Sequence, residues 1–450
     1  MRKLLDRLHA KLGDFWFYSL MVLAASRAAD ALNVFVGIWL VPHFIDKSEL
    51  GAVLPLTNFA NALAVPVTAF AIVFMKEVNR LALNRSFGQM KSLLKGVFSA
   101  TAISLLVAII ISRIVLPSFL KRIRIIEGSL GVLVIASAFI SCASPVYTNA
   151  LQALKKFGAI SLLHIISAPL RLVAMLLTMP LRPLAGYYIG QSTPGLASIL
   201  GSMIAARKEL SAAAEPYWTR AVGSRLTKMF LGTLACLGPS SICIVIENMV
   251  LRQRLPDADS AAFYMVTRFS DIAAYLAIPL ISTMFPFTSE LAEQGRPTRG
   301  LVLRCVAAIT GINTLLAVIF LLLGENMLVL LPGGALYAEY HWAIPWLIGI
   351  TTLISIQSCH TSTEISAGRF SFLKWWIPIN VLYPIALLFV TGHGYFTQWM
   401  PSGITKFLTA HNITSLEAML TWMTVFAFLK AVISIVEMIT HKQTKVTIRR

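Results

Sequence analysis

Charge is what this sequence has least of. Only 13% of its 450 residues are Asp, Glu, Lys or Arg, 57% are hydrophobic, and the mean hydropathy is +0.75. A soluble globular chain carries about 25% charged residues, so a surface built for water is excluded and the natural solvent is a bilayer. Long polar stretches are missing too. No such stretch much exceeds the distance between two helices, which leaves no room for an extramembrane domain. Acidic residues are scarcer than basic ones, 20 against 38, for a formal net charge of +18. The basic residues sit in short loops between apolar runs, so they read as orientation signals and as attraction to anionic membrane lipids rather than to nucleic acid. The five cysteines, Cys142, Cys236, Cys243, Cys305 and Cys359, lie inside apolar runs without CxxC spacing, which argues against disulfides and metal sites. No glycine-rich phosphate loop is present, so ATP is not a direct energy source. The longest outer loop, Tyr395 to Thr414, offers His411 with no carboxylate nearby beyond Glu417. Without a nucleophile or an acid/base set, the chain does not read as an enzyme.

What is present is a succession of apolar runs of roughly 20 residues or more, the length that crosses a hydrocarbon core as a helix. They fall at Phe15–Pro42, Gly51–Met75, Gly96–Leu116, Gly128–Leu151, Phe157–Met179 and Leu184–Ala206, then at Met229–Val250, Ala261–Pro286, Leu303–Leu323, Ala338–Ser362, Phe372–Gly394 and Ser415–Thr440. The first is not a signal peptide, because it is too long and carries Arg27 and Asp30 in mid-span. Alternate sides of these runs hold 25 and 9 Lys plus Arg. The positive-inside rule therefore predicts that both termini are cytoplasmic. The expected fold class is an all-α integral membrane protein of about 12 transmembrane helices.

A shift of about 210 residues brings Phe59 onto Phe269, Leu81 onto Leu291 and Ala82 onto Ala292, a weak internal repeat of the kind transporter halves carry. The expectation is two pseudo-symmetric six-helix lobes around a central cavity, residues 1–214 and 215–450, joined through the basic loop Arg207 to Lys228.

Three segments carry a resemblance. A mid-span Arg27 is followed by an exit through Pro42, Ile45, Glu49 and Gly51. A basic turn lies within NALQALKKFGAISLLHIISAPLRL, Asn149 to Leu172. The second half opens with Glu247 and Asn248, then AAFYMVTRFSDIAAYLAIPLISTMFPFTSELAEQG. In these segments the chain resembles the polysaccharide-transporter branch, the O-antigen and teichoic acid repeat-unit flippases, of the superfamily that also holds multidrug extrusion carriers and lipid II flippases. It departs in having Glu247 where related flippases have Asp, Asn58 where lipid II flippases have Arg, and no two extra helices. The resemblance implies a flippase in a bacterial cytoplasmic (inner) membrane. It would move polyprenyl diphosphate-linked oligosaccharide from the cytoplasmic to the outer leaflet by alternating access, alongside polysaccharide polymerase machinery.

An ionisable group near the bilayer centre costs at least ~2.5 kcal/mol and is by default a functional candidate. Arg27 and Asp30 lie three apart, as do Arg268 and Asp271, so each pair shares a helix face and could neutralise itself. The alternative is that Arg27 and Arg268 open onto one cleft and hold phosphate oxygens with their guanidinium forks, and the resemblance implies that role for them. Arg171 is a weaker substrate-binding candidate. Asp30, Glu247 and Asp271 are candidates for coupling to Na⁺ or H⁺, with no other cofactor expected, and they support the rival reading of an ion-coupled multidrug antiporter. His164, His360, Lys430 and Glu437 read as packing or interfacial residues, and Pro66, Pro239, Pro279, Pro345, Pro378 and Pro384 as kinks or hinges.

Overall fold

The computed structural model describes residues 24–390 and 415–440, apart from 125–129, 155, 212, 294–295 and 331–333. The basic N-terminal tail, the Tyr395 to Thr414 loop with His411, and the basic C-terminal tail lie outside the described residues. Among the described residues each of the twelve expected runs is matched by helix, residues 15–23, 128–129 and 391–394 of these runs lying outside the described residues. In chain order these are α1 (Ala24–Phe44), the bent pair α2 (Lys47–Leu63) and α3 (Val65–Leu83), α4 (Phe87–Arg122), α5 (Leu130–Ala153), α6 (Phe157–Thr178) and α7 (Pro183–Ala205). The second half gives α8 (Arg220–Arg254), α9 (Asp257–Glu293), α10 (Arg299–Val329), α11 (Ala343–Ser366), α12 (Leu373–Val390) and α13 (Leu416–Thr440). No strand occurs among the described residues. The all-α membrane class holds.

Among the described residues eight helices are long and apolar enough to cross a membrane unaided, or nine with the α2–α3 pair taken as one bent span. For α7 the low apolar content has a physical cause. In α7, glycines replace apolar bulk so that neighbours can approach. A Cβ on Gly190 would stand 2.2 Å from Met175, and one on Gly195 2.9 Å from Ile140. Such small-residue contacts, not lipid-facing leucines, hold it between α5 and α6. Elsewhere Phe98, Ile103, Leu106, Ile110 and Ile114 of α4 and Leu315, Leu321 and Leu322 of α10 are exposed, as helix faces solvated by lipid require.

The chain divides into two compact units. One takes the chain up to Val36 and again over Leu56–Leu234, and the other takes Gly37–Pro55 and the chain from Ala235 onward. All three crossings fall inside helices. The first coincides with a π-helical segment of α1, Val36–Leu40, the second with Pro55 inside α2, and the third lies a turn before Gly238 and Pro239 in α8. π-segments and prolines break the regular backbone ladder and are the usual causes of local bending. The 54° bend between α2 and α3 belongs to the first unit and lies at Ala64, just before Pro66.

Two connections differ from the sequence expectation. The charged connection over residues 76–95 is helical except for a tight turn, in which Arg85 takes a positive φ of 54°. α4 consequently runs for 36 residues, about 54 Å at 1.5 Å per residue and well beyond a ~30 Å hydrocarbon core. The basic loop from Arg207 contains a short 3₁₀ turn at Glu209–Ser211 and an extended strap from Ala213 to Thr219, after which α8 begins at Arg220. The strap lies in a notch cut along α4 by Gly88, Ser92 and Gly96, four residues apart. Ser92 Oγ donates to the Glu215 carbonyl at 2.6 Å. A Cβ at Gly88 would meet the Ala213 carbonyl oxygen at 2.5 Å, and one at Gly96 would meet the Trp218 ring at 2.6 Å. Tyr217 is buried with Val97, Met90 and Leu226 in the same apolar cluster.

Candidate functional site: the intramembrane charges

In the first unit, α1 presents Arg27, Asp30 and Asn33 at intervals of three, one helix face, to α6. Arg27 pairs with Asp30 at 3.2 Å. His164 of α6 lies within electrostatic reach of Asp30. Arg171, two turns further along α6 and buried, donates through Nη1 to Asn33 Oδ1 at 2.5 Å. Contacts rise together along both helices, Asp30 with His164 and Asn33 with Arg171, so the two helices run in the same sense. Odd-numbered spans must do so. Three sequence candidates, Arg27, Asp30 and Arg171, are thus gathered on one polar seam, and Asn33 and His164 complete it. Both were legible in principle, Asn33 by sharing the Asp30 face and His164 by lying two turns from Arg171.

In the second unit Arg268 pairs with Asp271 at 3.0 Å. Its guanidinium lies 5.2 Å from the centroid of the Tyr264 ring, a cation–π distance. Its stem fills the space left by a missing side chain, since a Cβ on Gly37 would stand 3.1 Å from Arg268 Cδ. Tyr264 Oη in turn donates to the Gly37 carbonyl at 3.4 Å. The π-segment of α1 and the guanidinium of α9 therefore depend on one another. Both i,i+3 pairs neutralise themselves, as the spacing allowed.

Glu247 of α8 lies within electrostatic reach of Lys430 of α13 and of the Tyr383 hydroxyl of α12. Lys430 Nζ stands 5.8 Å from the Tyr383 ring centroid. A cavity lined by His360, Trp376, Lys430, Ser434 and Glu437 runs along the same face of α13, and there His360 Nε2 lies 3.4 Å from Glu437 Oε2. These two satisfy one another, as expected.

Sequence reading passed over Arg252. Its side chain is 1% exposed, it donates to Asp257 Oδ1 at 2.7 Å and to the Ser48 carbonyl at 2.6 Å, and Gly51 makes room for it. It ties the start of α2 to the α8–α9 corner. Counted as a loop charge it carried no signal, because its burial depends on the fold of residues two hundred positions earlier.

The sequence matches no protein-family model and no curated protein. Solved structures do match. An inward-facing multidrug resistance MATE family transporter of the MOP superfamily superposes with a TM-score of 0.66 at 12% identity, covering 95% of this chain and 99% of that one. The chain has the fold of the MATE transporters. A MATE structure in the bent conformation gives a TM-score of 0.63 at 12% identity over 97% and 98% of the two chains. An outward-facing MATE transporter of the same superfamily gives 0.60 at 11% over 93% and 92%.

Proposed function

We propose that this protein is an alternating-access membrane exporter with both termini in the cytoplasm of a bacterial cell. The observation that carries the reading is the match to MATE transporters over nearly the whole of both chains. The intramembrane charges support it, since a non-transporting scaffold has no reason to bear their cost. In this reading the six-helix halves, residues 1–214 and 215–450, are the duplicated parts, and the protein transports a substrate rather than transforming it.

Substrate class divides into two readings, each with its own support. The neighbours are described as multidrug resistance transporters. That favours extrusion of amphipathic drugs coupled to Na⁺ or H⁺, with Asp30, Glu247 and Asp271 as the coupling carboxylates. A specific observation favours the second reading, flipping of a lipid-linked oligosaccharide. Asp30 and Asp271 are each matched by a guanidinium, Arg27 and Arg268, Lys430 lies within electrostatic reach of Glu247, and Arg171 adds a further positive charge against a neutral Asn33. A basic surplus suits a diphosphate head group better than an organic cation. Arg27 and Arg268 would hold the phosphates, with Arg171 in support and polysaccharide polymerase machinery as the downstream partner.

Reconstituted vesicles separate the two. Movement of a polyprenyl-diphosphate oligosaccharide, lost in Arg27→Ala and in Arg268→Ala with folding retained, is the result expected for the flippase. Na⁺- or proton-driven efflux of organic cations that depends on Asp30 or Glu247 is the result expected for the antiporter. A protein that moves neither class of compound would end the exporter reading.

A further inference from the structure

Protein interiors pack with few voids larger than a water molecule, and the first unit departs from that. A partly open cavity of about 120 Å³ lies among α3, α4, the strap and the start of α8. Its walls are apolar and largely aromatic, with Phe70 and Phe74 from α3, Leu93 and Val97 from α4, Trp218 from the strap and Phe230 from α8. A glycine keeps it open. Gly223 lines the space, and a Cβ built there would meet nothing within 4 Å.

Water does not suit this space. A buried water needs roughly two to four polar partners, and beside the Trp218 indole the polar side chains of the lining are Glu77 and Thr227. The Glu77 carboxylate is committed to Arg225, whose Nη2 donates to Oε1 at 2.8 Å. An apolar cavity of about 150 Å³ stays dry and takes up a benzene-sized hydrocarbon. A slightly smaller one suits a short stretch of acyl chain.

The rim is basic. Arg220, Gly223, Thr227 and Phe230 follow at three- and four-residue intervals along one stripe of α8, so Arg220 stands one turn before Gly223 on the face that lines the cavity. Arg225 is held by Glu77 and still leaves 49% of its side chain exposed, and a guanidinium carries five donors. α8 runs for 35 residues, about 52 Å at 1.5 Å per residue against a ~30 Å hydrocarbon core. Its apolar run begins at Met229, which places both guanidinium groups at the level of lipid headgroups. Guanidinium forks match phosphate oxygens. A phospholipid joins a phosphate to an acyl chain, and this site joins a basic rim to an apolar void in the same order. An organic cation would instead meet two guanidinium groups on its way to a carboxylate already neutralised.

We propose that this cavity binds an anionic phospholipid, with its phosphate on Arg220 and Arg225 and the upper part of one acyl chain between α3, α4 and α8. The site is built from helices other than α1 and α6, which carry Arg27, Asp30 and Arg171, and the inference does not rest on the exporter reading.

The test uses purified full-length protein in a neutral detergent, with thermal unfolding followed as lipid is added. A ligand that binds only the folded state raises the Tm. Dioleoyl phosphatidylglycerol should raise it saturably by a few degrees, phosphatidylcholine with the same chains should raise it less, and glycerol phosphate, which has the charge without the chains, should leave it unchanged. Gly223→Leu fills the void and should abolish the phosphatidylglycerol response while keeping the lipid-free Tm at or above that of the wild type. Arg220→Gln should weaken the apparent affinity for phosphatidylglycerol about tenfold. An undiminished response in Gly223→Leu overturns the proposal, as do equal responses to the two lipids or a response to glycerol phosphate as large as that to phosphatidylglycerol. A Tm rise with tetraphenylphosphonium that Gly223→Leu removes would assign the cavity to lipophilic cations and overturn it too. Should Gly223→Leu fail to fold, phosphatidylglycerol with dibrominated chains gives a second reading. Quenching of tryptophan fluorescence that is reduced by Trp218→Phe supports the site, and quenching that Trp218→Phe leaves unchanged overturns it.

Discussion

Two i,i+3 Arg–Asp pairs of nearly equal length occupy the two units, and their surroundings differ. Around Arg27 and Asp30 the neighbours are polar, with His164 and the Asn33–Arg171 contact continuing a seam along α1 and α6. Around Arg268 and Asp271 the neighbours are an aromatic face and a bare stretch of backbone, Tyr264 and Gly37. The same local device can therefore be supported by shared hydrogen bonds or by shape. A seam of hydrogen bonds degrades in steps as members are removed, whereas a guanidinium held by the lack of a side chain fails abruptly when one is added.

Four experiments would break or sharpen that contrast. The largest effect is expected from Gly37→Val, whose β-branched side chain cannot turn away from Arg268 Cδ. Displacing the guanidinium by about 1 Å should lower export tenfold or more, while Gly37→Ala, which asks only for a small shift of a flexible stem, should lower it far less. Transport assays on both variants would show the step, and equal activities would remove the shape argument. Next, Arg252→Met deletes two charged hydrogen bonds from a buried site of the second unit. It should destabilise the protein by about 3 kcal/mol, read from thermal unfolding. In the first unit Asn33→Ala takes one partner from Arg171 and should cost about 1.5–2 kcal/mol with graded loss of export. A loss as complete as that of Gly37→Val would abolish the distinction drawn between the units.

The smallest effect concerns the connection after α7, where Lys156 Nζ bonds Glu209 Oε2 at 2.7 Å. Slight burial pushes the Glu209 carboxyl upward, but the hydrogen bond and charge of Lys156 outweigh it and hold the group below the ordinary carboxylate range. A depressed acid contributes stability that is present above its unfolded value and is lost as pH falls through its folded value. Wild type should therefore lose a little more stability than Glu209→Gln in that interval. Unfolding followed from pH 6 down to pH 3 should show the two curves converging.

Much of the fold is legible in the sequence because apolar length is what a bilayer selects, and all twelve runs carry helix. What hydropathy misses is burial against protein. α7 reads as weakly apolar because glycine contacts replace leucine, and α4 reads as an ordinary span because Gly88, Ser92 and Gly96 give no sign that a distant strap fills their notch. For the charges, spacing along one helix was enough to foresee Arg27–Asp30 and Arg268–Asp271. That Asn33 and Arg171 pair across two helices was not legible, since no periodicity links residues so far apart in the chain, although each lay on a face that already carried candidates.

The exchange of Gly37–Pro55 into the second unit bears on how such a chain can be divided. A gene cut within the basic loop from Arg207 would yield a first polypeptide that keeps the segment the second unit packs upon, and a second that begins with the strap and helical turns belonging to the first unit. Neither product would carry a complete unit, and each would recover its missing part only by folding with the other.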